Sequence, residues 1–216
     1  MPVFELSKTS NLFPPTGLAD YDGLLAFGGD LSVERLLSAY SNGIFPWFNP
    51  DDPILWWCPK ERFVIFPNEI HISQSMRKLI ARGNFQTKIN TDFSLIIAAC
   101  KNKREGETWI TDDMEIAYNR LFDAGFAGCA GVYENDKLVG GLYGVILGRC
   151  FFGESMFSDA ANASKIALIR LCQDLAAKNF YFIDCQFHTP HLESMGGKYI
   201  GWSDYRRLLR EGIAYR

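Results

Sequence analysis

Several things are scarce in this 216-residue chain, and each scarcity closes a class of function. There are only three histidines, His71, His188 and His191, and no Cys or acidic residue stands at ligand spacing from them, so no metal site is expected. The six cysteines (Cys58, Cys100, Cys129, Cys150, Cys172 and Cys185) include no Cys-x-x-Cys pair and suggest no disulfide framework. Reduced thiols in a cytoplasmic protein are the expectation. No apolar run approaches the roughly 18 residues that argue for a membrane span, and the N-terminus lacks the basic start and apolar stretch of a signal peptide. Basic excess is also missing: the formal net charge is −3, so a nucleic-acid partner would have to meet a local patch. Gly140-Gly-Leu-Tyr-Gly144 has no Gly-Lys-Ser/Thr and opens no helix, which argues against a phosphate-binding loop. Glycines within a strand mark a bulge or a close backbone approach, here one that could admit a ligand backbone.

What is present is an apolar, aromatic-rich chain, 48% and 14% respectively, enough for a substantial core. Its charge is uneven. Residues 1–60 carry three basic and seven acidic groups, and the remainder is close to neutral. The first 60 residues are rich in Pro, Gly, Asn and Asp. One helix is expected there, over residues 31–42, capped by Asp30 or Ser32 and stopped by Gly43. The aromatics Phe45, Trp47, Phe48, Trp56 and Trp57 require that this segment pack onto something. From Phe63 the pattern is regular. Strands are expected over 63–66 and 87–90, and helices over 73–82, 93–101 and 112–124. A hairpin follows over 130–134 and 137–145 with Asn135-Asp136 as its turn, then a strand over 149–157. A long helix over 161–178, a buried strand over 180–187 and a short helix over 204–212 complete the chain. This order indicates an α+β or mixed α/β fold.

Two apolar stretches carry polar islands: Phe151-Phe-Gly-Glu-Ser-Met-Phe-Ser158, with Glu154, and Tyr181-Phe-Ile-Asp-Cys-Gln-Phe187, with Asp184 and Gln186. Acidic groups in such surroundings are paired or used. On a regular strand Asp184 and Gln186 face one way and Cys185 the other, towards the core. An Asp can orient a neighbouring amide, and the amide can hold an amine or a carbonyl oxygen. The same pair could instead tie a loop to the strand, and the residues alone leave both open. Trp47, in a Pro-bounded loop, and Trp109, before a helix start, are pocket candidates. Arg77, Lys78 and Arg82, Lys101, Lys103 and Arg104, and Arg206, Arg207 and Arg210 form three basic clusters that together could line a path for phosphates.

The ordered set of Phe13-Pro-Pro, Gly23-Leu-Leu-Ala-Phe-Gly-Gly-Asp-Leu31, Ala39-Tyr-Ser-Asn-Gly-Ile-Phe-Pro-Trp-Phe48, Trp56-Trp-Cys-Pro59 with Arg62, Trp109-Ile-Thr, Gly140-Gly-Leu-Tyr-Gly144, Gly153-Glu-Ser-Met-Phe-Ser158, Asn162-Ala-Ser-Lys165 and Ile183-Asp-Cys-Gln186 resembles the bacterial leucyl/phenylalanyl-tRNA–protein transferases over nearly the whole chain. The resemblance implies an aminoacyltransferase that moves Leu, Phe and, less readily, Met from aminoacyl-tRNA to proteins beginning with Arg or Lys, marking them for N-end rule degradation. It implies a small N-terminal α/β domain over 1–61 and an α+β catalytic domain over 62–216 like the GNAT-type N-acetyltransferases, with a mixed sheet flanked by helices. The acetyl-CoA loop of that fold is missing here, which suits a tRNA ester as donor and no cofactor.

By the same resemblance Asp184 and Gln186 act together in catalysis and Glu154 contacts the substrates near their amino groups. Leu142, Phe151, Leu168 and Leu171 line a side-chain pocket, and Ile183 and Ser158 join the substrate-binding set. Trp47 and Trp109 wall the site, where they can stack on the terminal adenine. Separately from the resemblance, the clusters Arg77, Lys78, Arg82 and Lys101, Lys103, Arg104 are the expected tRNA contacts. A monomer, with no membrane partner, is expected. A non-catalytic RNA-binding module on the same fold is the alternative.

Overall fold

The computed structural model describes residues 3–103 and 108–214. Its elements, in chain order, begin with β1 (Phe4–Leu6), β2 (Leu24–Gly28), α1 (Val33–Ser41), β3 (Phe45–Pro46), β4 (Leu55–Trp57) and β5 (Glu61–Ile65). They continue with α2 (Gln74–Ala81), β6 (Gln86–Ile89), α3 (Phe93–Asn102), α4 (Asp112–Asp123), β7 (Ala127–Glu134), β8 (Lys137–Leu147) and β9 (Cys150–Ser158). The chain closes with α5 (Ala163–Ala177), β10 (Phe182–Asp184), α6 (Pro190–Ser194), β11 (Lys198–Gly201) and α7 (Trp202–Ala214).

Short-range chemistry explains many of these boundaries. Ser32, Ser73 and Thr111 each stand at an N-cap, and their hydroxyls accept the backbone N–H three residues on, at 3.4, 3.3 and 3.2 Å. Each satisfies one of the donors a helix start leaves unpaired. Asp112, Asp113 and Glu115 fill the first turn of α4, where the helix dipole favours negative charge. Asn135 and Asp136 both adopt left-handed φ, +50° and +60°, as a two-residue hairpin between β7 and β8 requires.

The strands form two sheets. Four short ones are ordered β1-β2-β4-β3; seven others are ordered β11-β5-β10-β9-β8-β7-β6. The larger sheet is mixed: β9 and β10 run parallel, joined through α5, and its other pairings are antiparallel. Alternate residues feed two cores. Phe152, Phe182 and Val64 pack with α1, α3, α4 and α7, whereas Phe151, Ile183 and Ile65 pack with α5. Helix α5 buries Ile166, Leu168, Ile169, Leu171 and Leu175, each contributing about 1.5–3 kcal/mol of hydrophobic stabilisation.

Two local expectations fail. The strand expected over 180–187 pairs only over Phe182–Asp184, because Gln186 turns out of it with φ +62°. The glycines of β8 admit other parts of the protein rather than a ligand. A Cβ at Gly140 would meet that of Ala163 at 2.5 Å, and one at Gly144 would strike the Phe152 carbonyl oxygen and the Phe151 ring.

Candidate active site

Strands β9 and β10 pair in register over three residues, Cys150 to Phe152 against Phe182 to Asp184. Beyond that point β10 ends and β9 continues, so the sheet splits. A β-bulge falls at the split: Tyr143 faces Ser155 and Gly144 faces Gly153, leaving Glu154 as the extra residue. Bulges re-aim side chains. Glu154 thereby joins the wall of a cavity of about 470 Å³, within the range of small-molecule sites.

The floor of this cavity is apolar. Leu142, Phe151, Leu168, Leu171 and Ile183, all named from the sequence, line it, together with Met156, which was not. Trp109 also lines it. Trp47 stands with Phe187 and Trp57 at ring distances of 5.5 and 5.8 Å, and Trp47 and Phe187 remain 44% and 40% exposed. Large aromatics left open beside a cavity are suited to holding a flat ligand surface.

The polar groups are Glu154, Ser155, Gln186, Thr189 and His191. The Gln186 amide nitrogen lies 3.3 Å from Glu154 Oε1. The hydroxyls of Tyr40 and Tyr118 lie 2.7 and 2.8 Å from Glu154 Oε1 and Oε2. Burial pushes the Glu154 carboxyl up to about 7. As donors to its anion Tyr40 and Tyr118 oppose this, and nearby Asp184 reinforces it. Both phenols are themselves held well above their ordinary value, chiefly by burial, and stay protonated.

The raised Glu154 value carries a stability prediction. Between about 4.5 and about 7 the folded protein holds a proton that the unfolded chain has released, so this group lowers stability progressively as pH rises through that window. Going from pH 5 to pH 7.5, the denaturant midpoint of the parent should shift downward relative to that of Glu154→Gln; the same change in both would mean that Glu154 titrates in the ordinary carboxylate range.

Asp184 and Gln186 do not share a face. Asp184 is fully buried and points into the opposite core. There it accepts from both ends of the Arg62 guanidinium: Nη2 bonds Oδ2, and Nε lies 3.3 Å from Oδ1. It also accepts from the Tyr205 hydroxyl at 2.7 Å and the Gln186 backbone N–H at 2.9 Å. Arg62 in turn donates to the Gly43 carbonyl at 2.6 Å and lies over the rings of Phe45 and Tyr205. Burial, the largest single influence, would lower the basicity of Arg62, but the Asp184 charge and hydrogen bond, with Tyr205 and Cys58, together outweigh it and hold the guanidinium protonated. Asp184 therefore fixes the backbone that carries Gln186, and not the carboxamide itself. Cys185 lies on the face opposite Asp184, as expected, where it packs against the α5 core and also lines the cavity; burial holds its thiol well above the ordinary value.

Ser158 stands apart from the cavity. It is not among the cavity-lining residues; its hydroxyl donates to the Ala160 carbonyl at 2.8 Å and accepts the Ser164 N–H at 3.2 Å, closing the turn into α5. Of the basic residues, Arg77, Lys78 and Arg82 are exposed on α2 and its end. Arg82 shares a separate cleft of about 240 Å³ with Lys165 of α5. Lys101 is held by Asp112 and Glu115, and Lys103 by Asp159 at 2.7 Å, so both are locally neutralised. Arg104 lies outside the described residues. His188 pairs with Glu193 at 2.9 Å, and among the described residues no three His, Cys, Asp or Glu groups cluster as metal ligands do.

Sequence reasoning missed Tyr40 and Tyr118 and gave no task to Arg62. Each partner lies 36 to 122 residues away, beyond any local pattern.

Comparison with known proteins identifies the family. The family described as leucyl/phenylalanyl-tRNA protein transferase matches residues 64–210, and that family's N-terminal domain matches residues 29–60. The leucyl/phenylalanyl-tRNA–protein transferase of Syntrophus aciditrophicus is 48% identical over 99% of this chain and 90% of its own. That of Thiobacillus denitrificans is 50% identical over 94% and 90%. Among solved structures, L-PGS from Bacillus licheniformis aligns over 89% of this chain and 74% of its own at 12% identity and a TM-score of 0.44, too distant to carry an argument. At such identity over nearly its full length, the chain belongs to the leucyl/phenylalanyl-tRNA–protein transferase family.

Proposed function

We propose that this protein transfers the aminoacyl group of aminoacyl-tRNA to the N-terminal amine of an acceptor protein. The observation that carries the reading is an apolar cavity with a carboxyl and a carboxamide, Glu154 and Gln186, together in its wall. The reaction is aminolysis: the α-amine attacks the ester carbonyl, a C–N bond forms, and the ribose oxygen departs with a proton. An ester is already activated, so the protein has mainly to position the reactants and stabilise charge.

The finer assignments follow from the chemistry of the lining. Leu142, Phe151, Leu168, Leu171, Ile183 and Met156 receive the side chain of a leucyl, phenylalanyl or methionyl ester. An apolar pocket separates such side chains by only about 1–3 kcal/mol per methylene, which suits tolerance of all three. Glu154 favours cationic acceptors, those beginning with Arg or Lys, and Gln186 holds the amine or the carbonyl oxygen. Trp47 and Trp109 take the terminal adenine. Arg77, Lys78 and Arg82, with Lys165, supply phosphate contacts, while Lys101 and Lys103 contribute less because carboxylates already occupy them. The four-stranded sheet shares no strand with the seven-stranded one, which supports a small unit over 1–61 and an acetyltransferase-like catalytic unit over 62–216. A cytoplasmic monomer acting in N-end rule degradation fits this reading. No described helix is long and apolar enough to cross a membrane.

Labelled Phe-tRNA incubated with an Arg-starting peptide should label that peptide and leave an Ala-starting control unlabelled. Transfer should weaken steeply with salt, and charge reversal at Arg77, Lys78 and Arg82 together should raise KM for the tRNA at least tenfold, since about one counterion is released per phosphate contact. Absence of label at low salt would favour an RNA-binding module without catalysis, and a salt-independent KM would remove the α2 cluster from the site.

A further inference from the structure

Three oxygen atoms close a triangle beside the cavity. Tyr40 Oη lies 2.7 Å from Glu154 Oε1, Tyr118 Oη lies 2.8 Å from Glu154 Oε2, and the two hydroxyls lie 2.6 Å from each other. Every edge is a hydrogen-bond distance, so the triangle needs three protons. The tyrosines bring one each. With Glu154 ionised only the two phenol protons remain, so whichever way the hydroxyls turn, one of the three short O···O edges has nothing between its oxygens.

We propose that Glu154, Tyr40 and Tyr118 form a closed ring of three hydrogen bonds whose third proton belongs to the Glu154 carboxyl, making the two tyrosines positioning residues that hold this group as the neutral acid until an acceptor amine enters. The proton sits on Oε2: that oxygen donates to Tyr118, Tyr118 donates to Tyr40, and Tyr40 donates to Oε1. Oε1 is thereby left as the acceptor for the Gln186 amide, 3.3 Å away. The surroundings suit a neutral ring. Phe152 and Tyr143 pack their rings on Tyr40 and Tyr118 at 5.1 and 5.6 Å. The charged group nearest from β10 is Asp184, whose own charge is taken up by Arg62 of β5. The phenols keep their protons because burial disfavours the phenolate.

The ring bears on the proposed transfer and, in this part, rests on it. The acceptor arrives as an ammonium but must attack as an amine. An ammonium beside Glu154 favours the carboxylate, so one proton leaves to solvent on binding; the carboxylate then takes a proton from the ammonium and the ring is whole again. One proton has been released, and a neutral amine stands beside an uncharged ring. After the C–N bond forms and the C–O bond breaks, the second amine proton goes to the departing ribose oxygen, and Glu154 is unchanged.

Infrared difference spectra of the substrate-free protein, parent against Glu154→Gln, isolate the protonated-carboxyl stretch and its loss with pH. The ring predicts that this stretch is present at pH 6, and that its frequency rises in Tyr118→Phe and in Tyr40→Phe, because each removal strips the acid of hydrogen bonds, while its midpoint moves little, the anion losing one charge-assisted bond against two neutral ones. If the tyrosines merely donate to a carboxylate, each removal raises the midpoint by the whole of that lost bond instead. A raised midpoint, an unmoved frequency, or no such stretch overturns the proposal. Calorimetry of an Arg-starting peptide at pH 6 in buffers of different ionisation heat should show close to one proton released by the parent and none by Glu154→Gln. A ring present in the infrared with a peptide that does not bind leaves the ring standing and defeats the transferase reading. Transfer without the infrared signature does the reverse.

Discussion

Replacing Asp184 by alanine is expected to destabilise the protein by about 3–5 kcal/mol, whatever it does to transfer. Arg62 and Asp184 are 1% and 0% exposed, and the pair is held together by two hydrogen bonds. Removing the carboxylate leaves a guanidinium in the core with only the Gly43 carbonyl and the faces of two rings for company. It also strips the acceptor from the Tyr205 hydroxyl and from the Gln186 N–H. The cost lies in the orphaned charge, so a double replacement, Arg62→Met with Asp184→Leu, should recover much of it, as apolar pairs of similar volume often do. Chemical denaturation of the two variants and the parent decides the matter. An Asp184→Ala protein with the parent's midpoint would mean that Arg62 finds water or another partner. Loss of transfer in Asp184→Ala therefore cannot identify a general base until the stability of the variant is known.

This separation of roles was only half visible in the sequence. The polar islands around Glu154 and Asp184 stood out because their neighbours are apolar, and the helix starts at Ser32, Ser73 and Thr111 stood out because capping is local chemistry. The direction of Asp184 and Gln186 did not follow. Alternation presumes a regular strand, and whether β10 continues past Asp184 depends on whether β9 still offers a partner beyond Phe152. It does not, since the bulge at Glu154 diverts β9 and the sheet splits there. Nothing in the order Ile-Asp-Cys-Gln marks a non-glycine residue at φ +62°. The cost of that conformation is met by a long-range contact, the Asp184 carboxylate accepting the Gln186 N–H. Tyr40 and Tyr118 were hidden for a related reason. A tyrosine on a helix face reads as core, and only the tertiary structure brings two of them to one carboxyl. The greasy half of the cavity was the accessible half. The Leu and Phe positions that line it came from the family resemblance and not from local spacing, which marks a residue as apolar and buried without saying whether it faces a cavity or the core.

The second large effect concerns Gln186, whose carboxamide sits in the cavity wall against Glu154. Gln186→Asn should lower kcat by about 10²–10³, the usual loss when one preorganised hydrogen-bond donor is taken from a developing oxyanion or an attacking group. Asparagine is the informative replacement because it tolerates a left-handed backbone at least as well as the glutamine it replaces. It keeps the amide and removes one methylene, so what is lost is reach alone. The backbone N–H that anchors the turn to Asp184 is untouched, and the denaturation midpoint should stay close to the parent's. The apolar floor and the exposed arginines of α2 are untouched as well, so KM for aminoacyl-tRNA should hardly move. A fall in kcat at constant KM is the signature of an interaction made in the transition state and not in the ground state. Should Gln186→Asn keep full kcat, the carboxamide would be a wall and not a donor, and the burden of steering the amine would pass to Glu154 and its two tyrosines.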